Sequence, residues 1–351
     1  DNVAAYESEN NGQWEVDLNK TNHFLYKENI HAVYGMYEKK IGKLSGQAGL
    51  RYEYTSYRAD QLGNVQRADT AFSRKYGQFF PNGYLSYQAD SSNSFTLTVG
   101  RRIDRPAYQV LNPFIFIINK YTYQTGNPYI LPQYSWNFEL SHQYKELLTT
   151  TISYSNISNY FSQLFLNGDS EEILLYTQGN VGHTYIFGLA EAVSASPLKW
   201  WSVTGQALYN YKKLSGFNGN NYTTDAHQLN LNINNQFTIG SYTAELSGFY
   251  TTRSRNDVQE RLYPTGQLSV GVSRPVLKKK GTIKFSARDV LYTNVMEGLT
   301  QFPSATEYFK FRHDTRVVSL SFTYRFGKQY KAVQRSQGSA ADERDRVGGG
   351  S

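Results

Sequence analysis

The segment HQLNLNINNQFTI, His227 to Ile239, changes character at almost every residue. Leu229, Leu231, Ile233, Phe237 and Ile239 alternate with Asn230, Asn232, Asn234, Gln236 and Thr238. Successive Cβ atoms of a strand point to opposite sides of the pleat, so a period of two predicts a β-strand with one apolar and one polar face. The rhythm recurs in YSWNFELSHQY (134–144), where Tyr134, Trp136, Phe138 and Leu140 oppose Ser135, Asn137, Glu139 and Ser141. It recurs again in VVSLSFTYRF (317–326), and LSGQAGLRYEYTSY, SFTLTV, SYTAELSGFY and GQLSVGVS read the same way. A soluble sandwich would also alternate. Length separates the two: these segments run roughly 10 to 16 residues, against about 5 to 6 for an average strand, which suits tilted strands crossing a bilayer.

The links between segments point the same way. Short ones fall near 39–43, 90–93, 145–148, 195–198, 239–241 and 277–281, and long ones near 59–75, 105–133, 215–224, 254–262 and 293–312. Outer-membrane barrels join their strands by short periplasmic turns and longer outer loops. The fold class expected is therefore all-β, a transmembrane antiparallel β-barrel. The strands are read at 22–38, 44–58, 76–89, 94–104, 134–145, 149–165, 172–194, 199–214, 225–239, 241–254, 263–276, 282–292 and 314–326. That count, about 13, is odd, whereas bacterial single-chain barrels have even numbers with both ends of the strand set in the periplasm. The chain thus reads as the C-terminal part of a larger barrel whose first strands lie upstream.

Composition agrees. Among 351 residues there are 30 Tyr, 20 Phe and no Cys, which removes disulfides, thiol nucleophiles and thiolate metal sites. The mean hydropathy of −0.58 and the lack of any run of about 18 apolar residues exclude a transmembrane helix but leave a strand-built membrane protein open. The net charge of +7 comes from Lys and Arg spread along the chain and often at turns, such as Lys278, Lys279 and Lys280, which argues against nucleic acid as a partner. The start, DNVAAYESEN, lacks a signal-peptide pattern, as expected of a processed chain or an internal fragment. Three regions are expected: 1–21 as an extracellular loop remnant, 22–327 as barrel, and 328–351 as a disordered periplasmic tail whose final GGGS reads as an engineered linker.

One stretch breaks the rhythm. RPAYQVLNPFIFIINKYTYQTGNPYILPQ (105–133) holds Pro106, Pro113, Pro128 and Pro132, four of the nine prolines, and six aromatics. Its FIFII is apolar enough for a core, yet the prolines forbid a helix or a central strand. With the preceding GRRID and the following YSWNFELSHQY it resembles the C-terminal barrel of a TonB-dependent-receptor-like outer-membrane family common in Bacteroidetes. In that family Arg-x-x-Arg-Pro leads into Leu-Asn-Pro-Phe, then Gly-Asn-Pro, Pro and a Glu-Leu strand. Arg102, Arg105, Pro106, Leu111, Asn112, Pro113, Phe114, Gly126, Asn127, Pro128, Pro132, Glu139 and Leu140 match it. SARDVLYTN (286–294) and the closing SLSFTYRFG (319–327) fit as well. The resemblance implies a 22-stranded barrel in the outer membrane of a Gram-negative bacterium, importing a scarce ligand bound at its outer loops. It implies outer-membrane lipids and a periplasmic energy-coupling protein as partners, the latter acting through a plug that this chain lacks. A passive porin or a structural subunit is the alternative, and whether a surface lipoprotein caps the mouth is left open.

No enzyme is expected and no cofactor. His23, His31, His142, His183, His227 and His313 are scattered without metal-ligand spacing, so no metal site is expected, and neither a GxSxG elbow nor a phosphate loop occurs. Arg51, Glu53, Glu139, Glu245, Lys284, Arg288 and Arg325 are read as lumen-facing charges that guide a substrate or, in the favoured reading, pair with one another and with the plug. Trp200 and Trp201 are read as part of the periplasmic aromatic girdle, where an amphipathic ring sits at headgroup level. In the 105–133 loop, Arg102, Arg105, Pro106, Asn112, Pro113, Gly126, Asn127 and Pro128 form the framework. Its aromatics support two readings: a lid with Phe114, Phe116, Ile117 and Ile118 as its own core, or a ligand surface. The candidate ligand contacts are Tyr108, Phe114, Phe116, Tyr121, Tyr123 and Tyr129.

Overall fold

A computed structural model of the chain describes residues 2–18, 21–64, 68–168, 173–217, 222–256, 258–301 and 306–326. The expected tail at 328–351 lies outside these residues, as does the middle of the 215–224 link. Thirteen long strands follow one another: β1 (Asn22–Ile41), β2 (Leu44–Leu62), β3 (Thr70–Gln88), β4 (Asn93–Asp104), β5 (Gln133–Tyr144), β6 (Leu148–Ser158) and β7 (His183–Leu198). Then come β8 (Trp201–Phe217), β9 (Tyr222–Ile239), β10 (Tyr242–Thr251), β11 (Thr265–Val276), β12 (Gly281–Arg288) and β13 (Val317–Tyr324). Each pairs antiparallel with the next in chain order, a continuous meander, and a short strand, Asn2–Ala4, lies beside the start of β1. Among the described residues nothing pairs β13 with the first strands, so the wall is an open sheet.

The links alternate as expected. Two-residue turns join β1 to β2 and β9 to β10, with Gly42 and Gly240 at positive φ, where a side chain would be strained. Every short turn lies at one end of the wall and every long link at the other. The apolar residues of each strand share one face and stay half-exposed, as Ile233, Phe285, Leu97 and Leu140 do, the pattern of a surface that meets lipid. The opposite, polar face is the lumen side.

Two expectations need correcting. Segments 149–165 and 172–194 are not wall strands throughout. The wall strands stop at Ser158 and resume at His183, and the excursion between them forms the hairpin Phe161–Asn167 and Leu174–Asn180. Asn159 (φ 53°) and Gly182 (φ 105°) break the ladder. A Cβ on Gly182 would lie 2.1 Å from the carbonyl oxygen of Ser215, so the chains meet here only because that side chain is absent. Conversely, the 59–75 link is mostly strand, since β2 and β3 pair out to Gln61 and Thr70. At 19 or 20 residues, β1 to β3 are about twice the length that crosses hydrocarbon, and they overhang at the long-link end.

The overhang carries the buried cores. Phe24, Ala59, Leu111 and Ile130 form one, with Tyr26, Phe72 and Phe161 against it. Leu164, Val181, Leu214 and Val258 form a second, with Tyr160 and Leu166. Two small sheets lie over these cores. One orders Phe161–Asn167, Leu174–Asn180, Thr122–Thr125 and Ile115–Asn119, and the other Ser254–Asn256, Glu260–Leu262, Met296–Gln301 and Thr306–Phe311. The Gln259 side chain ties them together. It accepts from the Phe165 amide (2.8 Å) and donates to the carbonyls of Phe165 (2.9 Å) and Gln301 (3.0 Å). The long links therefore build a cap.

Candidate functional site

The 105–133 segment is the keystone of that cap. Tyr108–Leu111 form a single 3-10 turn that drops Leu111 into the first core. The framework residues then close a loop of hydrogen bonds. The Asn112 side-chain oxygen accepts from Asn22 Nδ2 (3.1 Å) and from the Phe114 amide (3.3 Å). The Gly126 amide donates to the Asn112 carbonyl and the Asn127 amide to that of Val110. Asn127 Oδ1 accepts from the Tyr129 amide, and its Nδ2 donates to the Gln178 carbonyl. Thr125 Oγ1 donates to the carbonyl of Pro113. A Cβ on Gly126 would stand 2.3 Å from the Asn112 carbonyl oxygen and 2.6 Å from that of Val110, so only glycine fits. Pro106 and Pro132 are buried, and Pro113 and Pro128 half-buried.

Beneath the loop lies a charged cluster on the lumen side of the overhang. The Arg105 guanidinium donates to the Glu53 carboxylate, to Thr55 Oγ1 (3.0 Å) and to the Tyr76 hydroxyl (3.2 Å), with Glu28 at 4.0 Å. Glu28 in turn accepts from the Tyr108 hydroxyl (3.1 Å) and that of Tyr26 (3.4 Å). The Arg105 side chain is 10 % exposed, and those of Glu28 and Glu53 are 6 %. Burial opposes its charge, but Tyr76 and Glu53 outweigh that and hold its pKa above the ordinary arginine value. Sequence reading places Arg105 and Glu53 in a framework and a lumen but does not join them. Nor does it find Tyr26, or Thr55, Tyr76 and Asn22, whose partners lie 29 to 90 residues away.

Of the six aromatic candidates, Phe114 is buried (4 %) and packs on Tyr6 and Phe116. Tyr108 belongs to the Glu28 cluster, and Phe116 and Tyr123 are half-buried in the small sheet. Tyr121 and Tyr129 project, the latter 73 % exposed beside Phe72. The lid core is not FIFII, because Ile117 and Ile118 are exposed, and Leu111 and Ile130 fill it instead. Arg102 is exposed on the lumen side. Four of the seven lumen charges pair with one another: Lys284 Nζ reaches Glu245 at 2.6 Å across Gly271, and Arg51 lies 3.5 Å from Glu53, whereas Glu139 accepts from Ser141 and Arg288 donates to the Thr315 carbonyl.

Trp200 and Trp201 stand at the short-turn end, both against Phe237. Trp201 Nε1 also donates to Asn235 Oδ1 (3.1 Å). Asn235 interrupts the apolar side of HQLNLNINNQFTI between Ile233 and Phe237, and the indole bond with near-complete burial makes it tolerable there.

The architecture has solved counterparts. The ferric enterobactin receptor of Pseudomonas aeruginosa is similar over 90 % of this chain and 55 % of its own, with 11 % identity and a TM-score of 0.52. The ferric yersiniabactin uptake receptor FyuA of Yersinia pestis gives 12 % identity over 88 % and 47 %, with a TM-score of 0.61. The copper transporter OprC gives 11 % over 90 % and 49 %, with a TM-score of 0.60. The chain thus spans about half the length of these structures, and at such identities the likeness concerns the fold. No curated protein sequence is a significant match. The profile of the outer membrane protein beta-barrel family matches residues 1–324, nearly the whole wall and cap, and the chain belongs to that family, a barrel protein of the Gram-negative outer membrane.

Proposed function

We propose that the chain is the C-terminal part of a receptor-like outer-membrane transporter, which binds a scarce ligand at its cap and admits it through a plugged lumen. The observation that carries this reading is the locked cap: a hydrogen-bonded framework of buried and half-buried Asn, Gly and Pro residues holds Tyr121 and Tyr129 outward over one end of the wall. Rigid aromatics give amphipathic contact area at low entropic cost. Two receptors of similar fold are named for ferric enterobactin and ferric yersiniabactin and a transporter for copper, so a scarce metal or its chelate heads the candidates. In this reading the long-link end is extracellular and residues 2–18 lie there. The short-turn end, with Trp200 and Trp201 in the girdle, faces the periplasm. Upstream strands complete 22, and a periplasmic coupling protein pulls on a plug formed by the rest of the protein.

The test uses a deletion strain complemented with the full-length gene and assayed for uptake of ferric siderophores and copper. Wild type should restore uptake of one of them, a protonophore should abolish it, and Tyr121→Ala/Tyr129→Ala should raise the half-saturating concentration. Uptake that persists without a proton gradient, with permeability to small sugars in liposomes, would identify a passive pore instead.

A further inference from the structure

On the lipid-facing side of the wall, Gly248 of β10 and Gly266 of β11 interrupt a face otherwise made of large side chains. Leu231 and Tyr250 stand level with Gly266, and Ile233 and Leu268 level with Gly248. The surface dips where those side chains are missing. A groove of about 680 Å³ runs from this trough past Leu291 and Val295 to the hairpin Met296–Gln301 and Thr306–Phe311.

Its chemistry changes at the upper end, just beyond the last residues of β10 and β12. The guanidinium groups of Arg312 and Arg316 lie 5.0 and 4.7 Å from the centre of the Tyr292 ring. Lys310 and Glu297 are paired at 2.8 Å, and Glu297 also accepts from Tyr308. Arg312 and Arg316 are exposed and form no ion pair among the described residues; Glu297 feels Arg312 but is already held by Lys310 and Tyr308. Asp289, the acid that feels Arg316, is bonded to Thr293, Asn294 and Thr315.

An apolar trough in hydrocarbon, a ring at its upper boundary and two free arginines above describe the outline of one lipid molecule. We propose that this groove binds a single anionic, phosphate-bearing lipid, with an acyl chain along Gly248 and Gly266 and the phosphate on Arg312 and Arg316. The guanidinium fork matches phosphate oxygens, and Tyr292 takes the position amphipathic rings favour at the headgroup. The assignment rests on the outward face meeting lipid and needs no assumption about the transported ligand.

The full-length protein in neutral detergent, titrated with phosphatidylglycerol or phosphatidylcholine and read by native mass spectrometry, tests it. One phosphatidylglycerol should be retained in preference to phosphatidylcholine, and R312Q/R316Q should bind it about 30-fold more weakly, two basic contacts at a membrane surface. Ile233→Trp, which fills the trough and keeps the charges, should weaken both lipids alike, with unchanged β-sheet circular dichroism showing each variant folded. Equal retention of the two lipids, or a preference that survives R312Q/R316Q, overturns the proposal. Displacement of the lipid by millimolar inorganic phosphate alone would reduce the groove to an ion site and overturns it too.

Discussion

Replacing Arg105 by Ala should open the cap without dismantling the wall. Arg105 is the shared donor for Glu53, Thr55 and Tyr76, with Glu28 at 4.0 Å. Its loss strands two carboxylates whose side chains are only 6 % exposed. Breaking a buried pair by removing one partner costs about 3–5 kcal/mol, because a buried charge is left uncompensated. Arg51, 3.5 Å from Glu53 and 43 % exposed, can swing in to cover part of that, so the lower end, about 3 kcal/mol, is expected. This corresponds to roughly a 150-fold larger open population. Amide hydrogen exchange in the full-length protein reads it at Gly126 and Asn127, whose N–H groups bond the carbonyls of Asn112 and Val110. Arg105→Lys should fall between, since it keeps the charge but loses the fork. R105A/E53Q should recover part of the loss by removing one stranded charge. If exchange at these two amides rises less than about threefold in R105A, under ~0.7 kcal/mol, the cluster does not hold the cap and the reasoning fails.

Other substitutions probe the remaining parts. Gly126→Ala forces a methyl against two backbone carbonyls, an overpacking of about 3 kcal/mol, and should expose 105–133 to protease while the wall stays resistant; an intact loop would contradict the fit. The Asp289 carboxylate is buried, but its bonds from Thr315, Thr293 and Asn294 and the nearby Arg316 outweigh burial and hold its pKa below the usual value. A folded pKa below the unfolded one gives stability that is present above about pH 4 and lost as pH falls through the folded pKa. The protection factors of the Thr293 and Asn294 amides, taken against their intrinsic exchange rates, should therefore fall in acid, and Asp289→Ala should show low protection at every pH. Lys284→Met should change stability by less than about 0.5 kcal/mol, because both partners of its pair with Glu245 are over a third exposed; a larger loss in denaturant melts would mark a role beyond the pair.

The wall was legible because its information is local. Period-two alternation in 227–239 or 134–144 names the strand and its faces within a dozen residues, and short turns at Gly42 and Gly240 fix the order. Reading failed where the same local signal serves another purpose. Phe161–Asn167 and Leu174–Asn180 look like strands and are strands, but Asn159 and Gly182 turn them out of the wall, and only the approach of Gly182 to Ser215 reveals it. FIFII looked like a core, yet the loop core comes from Leu111 and Ile130 because those two meet Phe24 and Ala59, in the first two wall strands and far away in the chain. The Arg105 cluster is invisible in sequence for the same reason. Its seven residues, Tyr26, Glu28, Glu53, Thr55, Tyr76, Arg105 and Tyr108, come from three strands and a loop, and each alone reads as an ordinary polar group.

The edges of the wall bear on the extent of the barrel. β13 spans 8 residues, and all its side chains are exposed; its free edge has no partner among the described residues. About half of its backbone N–H and C=O groups point outward from that edge. In hydrocarbon each unsatisfied group costs several kcal/mol, so the total is on the order of 20 kcal/mol, above the ~5–15 kcal/mol that stabilises a typical domain. The edge of β1 beyond Phe24 adds to it. Such a wall is stable in a bilayer only if further strands close it, which is the physical case for a larger barrel. The 351-residue chain, refolded alone into liposomes, should then fail to give a protease-resistant monomer, whereas supplying the upstream strands as a second polypeptide should rescue it. A monomeric, fully inserted product from this chain alone would mean that β13 and the first strands can close on each other, and the case for a larger barrel would fall.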